Sequence, residues 1–352
     1  MILWISTATS YGGAEHYLAT IVAELADRFR FTVVVGDRAP AVAQARFEEA
    51  GADVEHVAGL GRHPSVRATS ALAGILSAVD PALVHVNLTD QGDALMPLVV
   101  ARALRRPLVA TLHNTVPDRS GPRELLSRWS LRLPHRVIAV SDDGGRYPRD
   151  AGAAVRVVRN GIRPPAPVPD ARVRLGSGTD RFVVCGVGRL HHQKGWDVLC
   201  RAAPMVLRSC PAADLVVVGE GDEREALESM PGSEHVRFLG FRPDAASLVA
   251  GADLLVLPSR YEAFGFVLVE AMLAGVPVVA SRVGAVCEVV GDDAVLVAPE
   301  RPDELAAAIV ALATDPDRRQ DLAARGRRRA QELFGAERMA TQTAAMYRDL
   351  LG

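Results

Sequence analysis

The sequence predicts an α/β protein built from two doubly wound domains, and three observations carry that reading. Short apolar, β-branched runs alternate with longer helical stretches along the chain. The runs fall into two series, and a proline-rich break separates them. A length of 352 residues also suits two cores better than one.

The first series has strand candidates at 2–6, 31–35, 83–87, 108–112, 137–140 and 155–158. The second has them at 182–187, 215–219, 236–239, 254–258, 278–281 and 295–297. Several are continuous hydrophobic runs, the pattern of strands buried on both faces of a parallel sheet. Helices between them imply right-handed crossovers. The first domain is expected over 1–163 and the second over 181–335. Residues 164–180 hold four prolines and then Gly-Ser-Gly, which predicts a semi-rigid linker. A last periodic helix is expected over 336–352, after the break at Phe334-Gly335.

Composition narrows the function. Apolar content of 49% with 23% charged residues describes an ordered globule. A net charge of −2 gives no field that attracts nucleic acid. Cys185, Cys200, Cys210 and Cys287 show no C-x-x-C spacing and read as free thiols. The first residues read as a β-strand and not as a signal peptide. No segment approaches the roughly 20 apolar residues of a transmembrane helix. A cytoplasmic protein is expected, with the inner face of the membrane as a second candidate location. Of the 40 basic residues, 39 are arginine and one, Lys194, is lysine. A position that keeps lysine in such a chain is a candidate for chemistry that arginine cannot supply.

Four motifs carry that chemistry. Tyr11-Gly12-Gly13-Ala14-Glu15 follows the first strand; adjacent glycines at a strand-to-helix turn let backbone approach a ligand. It is not G-x-G-x-x-G, which weakens a nicotinamide-cofactor reading. Thr111-Leu112-His113-Asn114-Thr115 ends a strand, and His113 there can donate to a sugar hydroxyl or stabilise a charge. In Gly188-Arg189-Leu190-His191-His192-Gln193-Lys194-Gly195, two cations five residues apart can clamp two phosphates before a helix that begins near Gly195. Adjacent His191 and His192 lack the i, i+4 spacing of a metal site on a helix. In Glu262-Ala263-Phe264-Gly265-Phe266-Val267-Leu268-Val269-Glu270, a helix is expected from about 266 to 274. Glu262 then lies before it and Glu270 two turns in. The amides of Phe264, Gly265 and Phe266 suit anionic oxygens.

Taken in order, G-G-A-E, the strand-end histidine, G-R-x4-K-G and E-x7-E resemble glycosyltransferase family 4. Asn160-Gly161-Ile162 resembles that family's turn before its second domain. The resemblance implies a retaining enzyme of the GT-B fold, with two Rossmann-like domains facing across a cleft and the final helix crossing back to the first domain. It implies that Arg189 and Lys194 bind the diphosphate of a nucleotide-sugar, UDP- or GDP-linked, with no divalent ion or other cofactor required. It implies ribose contact by Glu270, and sugar contact by Glu262, the 264–266 amides and His113. It implies that Gly12 and Gly13 let the first domain's loop close near the phosphates and acceptor. Gly219-Glu220-Gly221 and Phe238-Leu239-Gly240 sit where similar proteins carry nucleotide-side loops.

Three other functions compete with glycosyl transfer to a glycan, lipid-linked or small-molecule acceptor. They are sugar-nucleotide epimerisation or hydrolysis on the same fold, glycoside hydrolysis by Glu262 and Glu270, and a silent scaffolding partner. Residues 123–133 form a basic amphipathic helix. With Arg119 and Arg136 it either touches an anionic membrane carrying a lipid-linked acceptor or packs its apolar face inside and leaves arginines solvated.

Overall fold

The computed structural model describes residues 1–9, 11–61, 65–90, 95–115 and 121–352. It divides into two compact units, Met1–Gly161 with Gly335–Gly352, and Ile162–Phe334.

The first unit holds seven parallel strands: β1 (Ile2–Ser6), β2 (Phe31–Gly36), β3 (Ala52–Val57), β4 (Leu83–Leu88), β5 (Leu108–Leu112), β6 (Arg136–Ala139) and β7 (Val155–Val157). Their order is β3-β2-β1-β4-β5-β6-β7. Leu3, Ile5, Val84, Val86, Leu108 and Ala110 fill the core, as their apolar runs predict. β3 was not expected. Its Asp53, Glu55 and His56 are exposed, because an edge strand tolerates charge and so loses the apolar signature of an inner one. The last helix, Ala336–Leu351, packs on the Gly13–Leu25 helix and buries Met339, Ala340, Thr343 and Tyr347.

The second unit holds β8 (Phe182–Val187), β9 (Ala213–Val218), β10 (Val236–Phe238), β11 (Leu254–Leu257), β12 (Val278–Ser281) and β13 (Val295–Val297), all parallel. Their order is β10-β9-β8-β11-β12-β13. The stretch 164–180 is more than a spacer. It contains a helical turn, Ala171–Arg174, and Leu175 is buried with Val183, Cys185, Val216 and Val218. Arg172 also pairs with Asp253 at 2.9 Å. The few apolar residues in this proline-rich segment are enough to fasten it to the second core.

In each sheet the order reverses beside its first strand, between β1 and β4 and between β8 and β11. Such reversals leave a crevice outside the carboxyl ends of the strands, where ligands of open α/β sheets bind.

Candidate active site

In the second unit, the loops after β8 and β11 meet at that reversal. After β8, a 3-10 turn, His192–Lys194, leads through Gly195 into the helix Trp196–Ser209. Gly195 has φ 67°, and a Cβ there would lie 2.1 Å from the carbonyl oxygen of Pro258. The turn therefore lies against the end of β11, and only glycine permits it. Further bonds stitch the two loops. The amide of Arg260 donates to Gln193 O at 2.8 Å, Gln193 Nε2 donates to Tyr261 O at 3.0 Å, and Arg260 Nη1 donates to His192 O at 2.8 Å. Trp196 Nε1 donates to Arg189 O at 2.8 Å from the base of the turn.

This framework brings Lys194 to Glu262, with Nζ 2.5 Å from Oε1. Ser259 Oγ donates to the same oxygen at 2.7 Å. Glu262 is 4% exposed. Among the described residues nothing hydrogen-bonds its Oε2. Its backbone is held too: Ala285 donates to Glu262 O at 2.9 Å. A Cβ on Gly284, at φ 48°, would meet that oxygen at 2.2 Å. The expected pair of free cations is thus one exposed arginine and one lysine already bound to a carboxylate. Arg189 makes no ion pair among the described residues. A glycoside hydrolase needs two carboxylates free to exchange protons or attack carbon, which a Glu262 tied to Lys194 does not fit.

The helix Phe266–Ala274 starts from Gly265 at φ 81°. The amides of Phe264 and Gly265 make no hydrogen bond among the described residues. The Phe264 side chain is core, packed against Phe334 and Phe266 at 5.5 and 5.2 Å between ring centres. Glu270 is half-buried without a hydrogen-bond or ion-pair partner among the described residues, and burial pushes its carboxyl up to about 7. Gly219 donates to Gly240 O and Leu190 donates to Glu220 O, both at 2.9 Å. The loops after β8, β9 and β10 are therefore tied together beside this site.

In the first unit, Gly12 and Gly13 are exposed at the start of the Gly13–Leu25 helix. Glu15 caps it, accepting from the Gly12 amide at 3.0 Å on Oε2. Glu15 is 3% exposed, its Oε1 has no partner among the described residues, and burial outweighs its backbone hydrogen bonds to raise its carboxyl to about 7. His113 is 9% exposed at the end of β5, and burial pulls its imidazole down to about 3. It is therefore neutral at ordinary pH and carries no charge to lend. Nε2 lies 2.7 Å from Asn87 Oδ1. Asn87, Ser259 and Gly284 escaped the sequence reading, and Glu15 was read only as part of the glycine motif. Only Glu15 left a signal there, as a charge among the apolar residues of its helix.

In the 123–133 segment the helix spans Pro122–Ser130 and buries Ser127 and Ser130, and Leu131 just after it is buried in the core. Leu125, Leu126 and Trp129 are 70%, 48% and 48% exposed. Arg119 lies outside the described residues. No helix among the described residues is long and apolar enough to cross a membrane. The chain's only D-x-D spacing, Asp315-Pro316-Asp317, starts a helix, where Asp315 caps the Arg318 amide at 3.0 Å.

Two doubly wound parallel units, with a Lys–Glu pair and unbonded amides at the strand reversal of the second, define a GT-B glycosyltransferase. Residues 11–164 match the family model described as Glycosyltransferase Family 4, and residues 181–315 match Glycosyl transferases group 1. The 2-deoxystreptamine N-acetyl-D-glucosaminyltransferase of Streptomyces fradiae is 31% identical over 343 residues, which is 82% of this chain and 79% of that one. An uncharacterized glycosyltransferase of Methanocaldococcus jannaschii is 35% identical over 185 residues; the match spans 50% of this chain and 47% of that protein. The crystal structure of Anabaena HepE in complex with UDP-glucose is similar over 99% of both chains, with a TM-score of 0.85 and 26% identity. The chain belongs to glycosyltransferase family 4.

Proposed function

We propose that this enzyme moves a hexose-type sugar from a UDP- or GDP-linked donor to an acceptor hydroxyl, with retention of configuration and without a divalent ion. The Lys194–Glu262 pair, held by Ser259 at the strand reversal, carries the reading. Cleaving a glycosyl–phosphate bond leaves its electron pair on the diphosphate oxygen and positive charge on the sugar ring. Lys194 and Arg189 meet the first charge, and do so better in the transition state than in the ground state. Glu262 offers Oε2 to sugar hydroxyls, while Lys194 and Ser259 hold Oε1. The amides of Phe264, Gly265 and Phe266 receive anionic oxygens, Glu270 the ribose hydroxyls. His113 offers its ring to a sugar hydroxyl, and the Gly12–Gly13 turn lets backbone approach an acceptor. The acceptor attacks the face that the diphosphate leaves, and its proton passes to the leaving phosphate.

Thermal unfolding with UDP-, GDP-, ADP- and dTDP-sugars tests the donor class. A saturating true donor is expected to stabilise the protein by about 2–4 kcal/mol. No stabilisation by any of the four sinks the proposal. Release of free nucleotide that is equally fast with and without acceptor favours the epimerase or hydrolase reading instead.

The exposed Leu125, Leu126 and Trp129, with Arg123, Arg132 and Arg136 exposed around them, support a lipid-linked acceptor reached at an anionic membrane surface. Inserting one tryptophan and two leucines adds to the attraction of the arginines. Leu125→Asp combined with Trp129→Asp should weaken sedimentation with phosphatidylglycerol vesicles at least tenfold. Unchanged sedimentation of that variant, or equal binding to neutral phosphatidylcholine vesicles, would contradict the membrane assignment.

A further inference from the structure

His113 ends a buried hydrogen-bond chain that runs through Asn87 to the backbone of the glycine-turn helix. Asn87, 1% exposed on β4, touches it on one side and the start of the glycine-turn helix on the other. Its Nδ2 donates to Ala14 O at 3.2 Å, and its Oδ1 lies 2.7 Å from His113 Nε2. A backbone carbonyl only accepts, so the amide nitrogen must face Ala14 and the amide oxygen must face the ring. An amide oxygen also only accepts, so the hydrogen of a neutral His113 must sit on Nε2. Nδ1 is then an acceptor, and no described residue is hydrogen-bonded to it.

The neighbours hold this arrangement rather than compete with it. The Tyr17 ring packs edge-on to His113 at 4.9 Å between centres. Thr111 Oγ1 lies 3.3 Å from Tyr17 Oη and 2.8 Å from His85 Nε2, and His85 Nδ1 lies 2.6 Å from Tyr347 Oη on the last helix. Trp4 stacks on His85 at 3.6 Å. Tyr17 packs on the ring and His85 feels its charge, and burial disfavours the charged form of each.

We propose that Asn87 is a positioning residue that fixes the ring hydrogen of His113 on Nε2, so that His113 accepts a hydrogen bond from a substrate hydroxyl through Nδ1. The direction is opposite to the donor role that the sequence suggests. The hydroxyl part rests on the function proposed above; the tautomer part stands without it.

Long-range 1H–15N correlation spectra of the labelled full chain, with the His113 signals identified by their loss in His113→Gln, read the tautomer directly. The expected spectrum shows a neutral ring protonated on Nε2 near neutral pH. Asn87→Leu, which keeps size and removes both hydrogen bonds, should share the hydrogen between the two nitrogens. A wild-type ring protonated on Nδ1, or a spectrum unchanged in Asn87→Leu, overturns the proposal. If Asn87→Leu does not fold, Asn87→Asp keeps the acceptor. Its ring should stay protonated on Nε2 and take up a second proton at higher pH than wild type; an unmoved titration overturns the proposal. Calorimetry with UDP and UDP-glucose then reads the hydroxyl. In Asn87→Leu the preference for UDP-glucose over UDP should fall about three- to tenfold with UDP affinity unchanged, whereas Asn87→Asp, which keeps the tautomer, should retain it; an undiminished preference in Asn87→Leu overturns the acceptor role. Failure of wild type to bind either ligand excludes a UDP-linked donor, and the comparison is then made between GDP and a GDP-hexose; the spectra remain decisive for Asn87.

Discussion

Lys194→Ala should lower turnover by about two to three orders of magnitude, the usual consequence of losing one charge aimed at a developing anion. The variant should also be less stable. Glu262 loses its ion partner while remaining buried, and Ser259 Oγ keeps only one hydrogen bond to it. Removing one partner of a buried pair leaves a charge uncompensated; with that hydroxyl retained, a cost of about 2 kcal/mol follows. Turnover is therefore measured well below the variant's unfolding midpoint. Lys194→Arg is the sharper comparison. The side chain is 18% exposed and its ammonium sits 2.5 Å from a carboxylate oxygen in a loop pinned on both sides. A planar fork needs more room than an ammonium, so activity should fall at least tenfold although the charge is kept. Near-normal turnover in Lys194→Ala sinks the assignment of this residue to the leaving diphosphate.

Glu270→Gln should weaken nucleotide binding and strengthen the fold. The carboxyl is half-buried without a partner among the described residues, and burial raises it from 4.5 to about 7. Between those values the folded state holds a proton that the unfolded chain has released. Stability therefore declines as pH rises from about 4.5 to about 7 and stays low above that. The decline is at most about 3 kcal/mol, reduced because solvent still reaches the side chain. Glutamine has no such proton. The variant should match wild type in stability below about pH 4.5 and exceed it above about pH 7. Glu15 rises to the same range, and the difference between wild type and Glu270→Gln removes its contribution. In the same variant, loss of a charged acceptor for ribose hydroxyls should weaken UDP binding about 10- to 100-fold. Unchanged UDP affinity would remove Glu270 from the ribose; a wild-type stability flat from pH 4.5 to 7 would contradict its burial.

Both predictions concern residues that the sequence singled out, for different reasons. Lys194 stood out by scarcity and by its glycine-bounded turn. Glu270 stood out as a charge among Val267, Val269, Ala271 and Met272. What could not be read was their state. That Lys194 is bound to Glu262 depends on Gly195 lying against Pro258, a contact between residues 63 apart in sequence. No local pattern reports it.

The same division runs through the fold. The inner strands were legible because burial on both faces demands an unbroken apolar run. The helices at 266–274 and 336–351 were legible because glycine sits at their starts. β3 was not, since an edge strand is free to carry Asp53, Glu55 and His56. The 164–180 segment read as a linker from its prolines, and Leu175 attaches it to a core that the prolines do not reveal.

By itself the sequence determined the class of this protein: two doubly wound units and the residues at the carboxyl ends of their strands, because period and glycine placement are local properties of a chain. Only the tertiary structure decided the chemistry those residues are in. It joined Lys194 to Glu262 and left Glu270 without a partner among the described residues. It turned Leu125, Leu126 and Trp129 outward, and through Asn87 it set which nitrogen of His113 carries the hydrogen. Each of these depends on a neighbour supplied by another strand or helix, or on the lack of one. Charge state, exposure and hydrogen-bond direction are set by what surrounds a group in space.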